Sequence, residues 1–179
     1  MTDRDALLAA SNKELAARLR AGHPIDPAAL DDTAWRGISL GLPAFVERLS
    51  WKTFRKTFHR DPTTRALRGW NVRMEQHGLD GPDIPRLKNG APLEFGHYVV
   101  ESAADHPMPR DLHHALLIHY GLGANPWLDP TRLLRDPLVA LEPGRTDRLL
   151  GCTYVHFGAL IPTPSYFLLE APIPLVLPG

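Results

Sequence analysis

His97, His119 and His156, with Glu75, Glu101, Arg73, Tyr154 and Tyr166, are the residues of this chain whose types and placement suit chemistry. Each lies in a run where apolar and polar residues alternate, and the alternation puts all of them on the polar side. Imidazole titrates near neutrality and a neighbouring carboxylate fixes its tautomer. Such a set facing one cavity would carry general acid/base chemistry, with His97, His119 or His156 as base. Three imidazoles and a carboxylate also meet the needs of a divalent transition metal. No HExxH or HxH spacing brings them together, so neither a metal nor a cofactor is assigned. His113 and His114 are adjacent in an extended run, so their rings point to opposite faces and cannot chelate one ion. An antiparallel sheet ordinarily wets its polar face, in which case all these side chains are a solvated exterior.

Other chemistries lack their motifs. There is no GxSxG, GxxxxGK[ST] or GxGxxG, which removes the serine hydrolase, P-loop and dinucleotide-binding readings. The single cysteine, Cys152, has no partner for an internal disulfide or a CxxC clip and reads as a small buried hydrophobe, which favours a cytoplasmic home. Residues 48–60 carry Arg48, Lys52, Arg55, Lys56 and Arg60 and no acid, interleaved with Trp51, Phe54 and Phe58. A basic aromatic helix over 45–60 is suited to peripheral contact with an anionic membrane. The stronger reading packs its aromatics on the sheet and lets the cations snorkel outward. Twenty Lys and Arg balance twenty Asp and Glu, so no overall field favours nucleic acid.

The elements that position these residues are punctuated by proline. The chain has 18 prolines in 179 residues, yet 44% hydrophobic content at zero net charge is too apolar for disorder. No run of about 18 uninterrupted apolar residues would span a bilayer. Windows without proline mark where regular structure can run. The window 1–23 predicts a helix, with a second piece capped by Asn12, and 44–61 predicts another, from the spacing of Phe45, Leu49, Phe54 and Phe58. From Trp70 the period becomes two, and strands are predicted over 70–75, 95–101, 113–120, 138–141, 149–157 and 165–170. Consecutive strands without intervening helices mean an antiparallel sheet, and closure into a small barrel would remove its edges. The fold class is therefore α+β in one domain over 1–179: a helical N-terminal part, 1–62, and an antiparallel barrel-like part, 63–179. Trp70, Val72, Met74, Tyr98, Val100, Leu116, Ile118, Tyr120, Val139, Leu141, Leu149, Val155, Phe157, Phe167 and Leu169 form the expected core face.

Two patches carry a family resemblance. Asp32-Thr33-Ala34-Trp35-Arg36-Gly37, followed by Trp51 and by Lys56-Thr57-Phe58-His59, resembles the N-terminal part of the GxWxG/DUF4334 proteins, with Thr33 at the position of the motif's first glycine. Asp147-Arg148-Leu149-Leu150-Gly151 and Tyr166-Phe167-Leu168-Leu169-Glu170 are similar to the closing strands of their C-terminal part. The resemblance implies a small lipocalin-like or calycin-like β-rich domain of unassigned function and carries over no catalytic residue. Trp35 would plug one barrel end, and Gly37 would permit close backbone approach.

The leading functional expectation is a barrel that binds an apolar or amphipathic small molecule, with Trp35, Trp70 and Tyr98 near its walls and Arg73 and Tyr154 as polar contacts. The alternative is an isomerase, dehydratase or cyclase whose cavity is lined by the three histidines. A third reading is a protein-interaction module.

Overall fold

A computed structural model describes residues 3–41 and 52–177. Eight strands close into an antiparallel barrel: β1 (Thr33–Leu40), β2 (Thr53–Arg60), β3 (Leu67–Arg73), β6 (Glu94–Ser102), β7 (Leu116–His119), β8 (Leu134–Glu142), β9 (Arg145–Phe157) and β10 (Ala159–Pro174). Sequence neighbours pair around the barrel, and β1 closes it by pairing with both β2 and β10. The connection from β3 to β6 carries a two-stranded ribbon, β4 (Leu87–Lys88) with β5 (Ala91–Pro92).

Two helices precede the barrel, α1 (Asp3–Leu8) and α2 (Asn12–Arg20). Both come from the first proline-free window. Ser11, one residue before the expected cap, starts α2 by accepting from the Glu14 amide, while the Glu14 carboxylate accepts from the Ser11 amide. The helix expected over 44–61 is corrected in its described part, because Thr53–Arg60 is strand β2; residues 42–51 lie outside the described residues. Phe54 and Phe58 are four apart, a spacing that satisfies a period of two as well as a helical turn, and Thr53 and Thr57 favour the strand. The boundary expected near 62 falls in the turn between β2 and β3, so β1 and β2 belong to the barrel.

Both faces of the wall are buried. Inside, Trp35, Phe58, Leu67, Tyr98, Val100, Ile118, Leu138, Leu149, Phe167 and Leu169 form the barrel core. Outside, α1, α2 and the 103–115 connection cover the wall with Leu7, Leu15, Leu19, Met108 and Leu112 against Ile38, Leu117, Val139, Leu150, Cys152 and Leu168. Two-sided burial explains runs such as Leu116-Leu117-Ile118 and Phe167-Leu168-Leu169, whose alternation is weak. It also corrects part of the core face. Val139 and Leu141 pack outside, Trp70 and Val72 line an outer groove, and Phe157 is 75% exposed.

The barrel is plugged at one end. After α2, His23 bridges to Ala140, and the turn Pro27–Leu30, capped by Asp26, carries Ile25 and Leu30 into the barrel core beside Trp35. The Trp35 indole donates to Thr33 Oγ1 at 2.9 Å, which satisfies its one polar atom.

Three interior glycines shape the lumen. Gly37 pairs across strands with Phe54, Gly69 with Tyr98, and Gly151 with Phe167, and in each case the ring lies over the glycine. A side chain at any of these positions would occupy the ring's place. At Gly69 the added Cβ would also strike the carbonyl oxygen of Thr57, a backbone atom that cannot swing aside. Gly69→Ala is therefore expected to destabilise the protein by about 1–3 kcal/mol through overpacking, read as a lower denaturation midpoint at unchanged slope.

Candidate functional site at the open end of the barrel

Following each strand away from the plug, the inward side chains pass from an apolar layer to one that holds polar groups. On β2 the order is Phe58, Lys56, Phe54; on β3 it is Leu67, Gly69, Asn71; on β8 it is Ala140, Leu138, Asp136. Lys56 and Asp136 are 1% and 3% exposed. Each belongs to an alternating strand whose inward neighbours are apolar, so the period that packs Phe54, Phe58 and Leu138 inward also forces these two charges inward.

Tyr120 links them. Its hydroxyl accepts from Lys56 Nζ at 2.8 Å and donates to Asp136 Oδ2 at 2.9 Å, while Nζ and Oδ2 are 3.7 Å apart. Asn71 Nδ2 donates to the Gly96 carbonyl at 3.1 Å beside the same hydroxyl. Four rings surround the ammonium, with centroids at 4.8 Å (Tyr98), 5.0 Å (Phe167), 5.3 Å (Tyr120) and 5.8 Å (Phe54). Three of these are the rings laid over glycines. Cation–π attraction and the carboxylate offset part of the ammonium's lost hydration.

Burial still dominates both ionisations. It pulls Lys56 down to about 8, against the opposing pull of Asp136. It pushes Asp136 up, against Lys56 and the hydroxyls of Tyr120 and Thr153. Burial also holds the Tyr98 and Tyr120 phenols well above their ordinary range, so both remain donors; Tyr98 donates to the Thr57 carbonyl at 2.5 Å. One polar atom is left over: Asp136 Oδ1 is buried with no hydrogen-bond partner among the described residues.

Above this polar layer lies a cavity of about 220 Å³ lined by Lys56, Asn71, Tyr120, Asp136 and Thr153 below, and by Phe54, Phe95, Phe167, Tyr166, Ser39 and Ser165 around it. A larger groove of about 360 Å³ runs outside the wall between Trp70, Val72 and the 173–177 segment. Its one cationic lining residue, Arg55, is paired with Asp83 at 2.7 Å. The smaller cavity is the candidate site, because Lys56, Asp136 and Tyr120, all buried and with shifted ionisations, converge on it.

The residues expected from sequence are placed differently. His97, His119 and His156 all lie on the outer wall, opposite in strand parity to Tyr98, Ile118 and Val155, so the three rings do not line the lumen. His97 packs against Trp70, ring centroids 6.3 Å apart. His119 and His156 share a small outer crevice with His106 and Leu117. Burial, followed by Arg135, His106 and His156, lowers His119 to about 4 and keeps it neutral at pH 7. Trp35 belongs to the plugged end, Trp70 to the outer groove and Tyr154 to the outer core. Of the expected ligand contacts, Tyr98 faces the ammonium, and Arg73 lies over the Phe95 ring at 5.5 Å near the mouth. The basic run at 48–60 is not an open cationic face in its described part: Lys56 points inward, and Arg55 and Arg60 pair with Asp83 and Asp31, each at 2.7 Å.

Lys56, Asp136 and Asn71 are not among the site residues expected from sequence, where Lys56 reads only as one cation of the 48–60 run and part of the resemblance patch. Their signal is a polar residue in phase with apolar ones: Lys56 between Phe54 and Phe58, and Asp136 between Leu134 and Leu138. Comparison of the chain with family models, curated proteins and solved structures finds no match.

Lys56→Met leaves the Asp136 carboxylate buried without a counter-charge and is expected to cost about 3–5 kcal/mol at pH 7, most of it recovered in Lys56→Met/Asp136→Leu. The folded chain holds fewer protons on Lys56 than the unfolded chain between pH 8 and the ordinary lysine range near 10.4. The penalty of burying the ammonium is thus complete below pH 8 and relieved as pH rises through that window. The stability gap between wild type and Lys56→Met should accordingly widen from pH 7 to pH 10. Urea denaturation of the three proteins across that range checks both expectations.

Proposed function

We propose that the barrel holds a small, uncharged, amphipathic molecule through its open end. A donor group of the ligand, such as a hydroxyl, meets Asp136 Oδ1, and its apolar part lies against Phe54, Phe95 and Phe167. The observation that carries this reading is the buried carboxylate oxygen, without a hydrogen-bond partner among the described residues, beside a cavity walled by aromatic rings. An orphaned buried acceptor costs about 1–3 kcal/mol, which a ligand donor would recover. Lys56 and Asp136 already neutralise each other, so a third charge would be buried without compensation. A cavity of about 220 Å³ lies below the range of about 300–1,000 Å³ usual for drug-sized ligands, which favours a compact molecule or one end of a longer one.

A cytoplasmic home belongs to the same proposal and draws support from the single buried cysteine. Among the described residues no helix is long and apolar enough to cross a membrane. Kinship with the GxWxG/DUF4334 proteins is proposed alongside: Trp35 packs at the plugged end and Gly37 lies beneath the Phe54 ring. The acid/base enzyme built on His97, His119 and His156 has no support from the geometry, since those rings point away from the lumen. The interaction-module reading keeps one observation, the exposure of Trp127 (82%) and Leu128 (72%) in the connection between β7 and β8.

Titrating labelled protein with benzyl alcohol and with benzoate, followed by amide NMR shifts, tests the ligand reading. The alcohol is expected to shift amides around Lys56, Asp136 and Thr153 and to bind more tightly than benzoate. Asp136→Asn should weaken the alcohol by about tenfold or more, and Ser165→Trp, which fills the mouth, should abolish binding. Equal binding of the two probes, or alcohol shifts confined to the outer groove, would refute it.

A further inference from the structure

We propose that Lys56 is a nucleophilic amine that condenses reversibly with an aldehyde or ketone held in the mouth cavity, forming an iminium. The inference rests on the reading of that cavity as a ligand site and names the class of molecule it takes.

Placement comes first. The chain has four lysines, Lys13, Lys52, Lys56 and Lys88, and Lys56 is the one whose side chain lines the lumen cavity among the described residues. An ordinary lysine is almost wholly protonated at neutral pH and is a poor nucleophile. Desolvation is the usual means of exposing its lone pair, and Lys56 is fully desolvated. With its ionisation near 8, it holds on the order of a hundredfold more free amine at pH 7 than a lysine at the ordinary value.

The neighbours then supply the proton movements. The Tyr120 hydroxyl accepts from Nζ and donates to Asp136 Oδ2, so a proton can pass from the ammonium to the carboxylate along two hydrogen bonds of 2.8 and 2.9 Å. The freed amine attacks the carbonyl carbon. A carbon–nitrogen bond forms as the carbonyl π pair moves to oxygen. A proton passes from nitrogen to that oxygen, giving a neutral carbinolamine. Asp136 Oδ1, which has no hydrogen-bond partner among the described residues, is the acceptor placed to hold the new hydroxyl. The carboxyl then returns its proton to the hydroxyl, which leaves as water with the carbon–oxygen electron pair. The nitrogen lone pair closes the carbon–nitrogen double bond. Overall an ammonium and a carbonyl become an iminium and water, with Asp136 again a carboxylate and no oxidant or reductant consumed.

Charge is the strongest support. The site begins and ends with one cation against one carboxylate inside the same four rings. The ion pair and cation–π contacts that stabilise the ammonium are therefore available to the iminium, and no new charge is created in a dry interior.

The test is reductive trapping of the wild-type chain at pH 7 with benzaldehyde and cyanoborohydride, which fixes an iminium as a stable benzylamine, followed by peptide mass mapping. Lys56 is expected to be labelled about tenfold or more faster than Lys13, Lys52 or Lys88. Its labelling should be suppressed by excess benzyl alcohol and lost in Lys56→Arg, with the circular dichroism of that variant checked against wild type. Labelling at Lys56 no faster than at the other lysines, while benzyl alcohol still binds, overturns the iminium and leaves the cavity reading standing. Even labelling with no alcohol binding overturns both.

Discussion

An ammonium and a carboxylate taken out of water at one level of a barrel are the constraint around which this molecule is arranged. Removing either ion from water costs several kcal/mol even after relaxation, and Coulomb attraction repays it only with close partners. Lys56 and Asp136 are 3.7 Å apart on strands that are not adjacent, so neither can be satisfied locally. The barrel must close before they meet. Tyr120, the residue after β7, completes the link, and its buried phenol is useful because it stays protonated. The rings of Phe54, Tyr98 and Phe167 approach the ammonium because Gly37, Gly69 and Gly151 leave room beneath them. Glycine in a strand ordinarily weakens it; here a cross-strand aromatic fills each gap, and the filled gap becomes the wall of the polar layer.

The wall is held from both sides. The inner core alone would leave Ile38, Leu117, Val139, Leu150 and Leu168 in water, and α1, α2 and the 103–115 connection cover them. The helices are thus the outer layer of a sheet whose strands are apolar on two faces. This arrangement leaves the histidines little room inside. Positions 97, 119 and 156 share the outer parity with Leu117, Cys152 and Tyr154.

Much of the architecture was legible from residue patterns. Proline-free windows and the change of period at Trp70 located β3, β6 to β9 within a few residues and the middle of β10, and they argued for closure. β2 was misread because Phe54 and Phe58 fit either period and the cations around them suggested an amphipathic helix. β1 was not read as a strand at all: Trp35-Arg36-Gly37-Ile38 alternates only weakly, because Ile38 is buried by helices that periodicity does not place. For the site, the histidines stand out in the sequence because they are polar residues on polar faces. The decisive residues were polar ones on apolar faces, and a charge among phenylalanines is easily assigned to the surface by its type. That Lys56 meets Asp136, 80 positions later, follows from barrel order, which no local window contains.

The plug at one end has a consequence for traffic. Among the described residues, a lumen stoppered by Ile25, Leu30 and Trp35 has one neck, so a guest held as proposed would have to back out past Phe54, Phe95 and Tyr166, and the water it displaced would leave by the same route. Entry and exit are then one process run in two directions, governed by the rings at the neck rather than by the depth of the well. Changes at the rim would set how long a guest stays, while changes at the floor would decide which guest is kept.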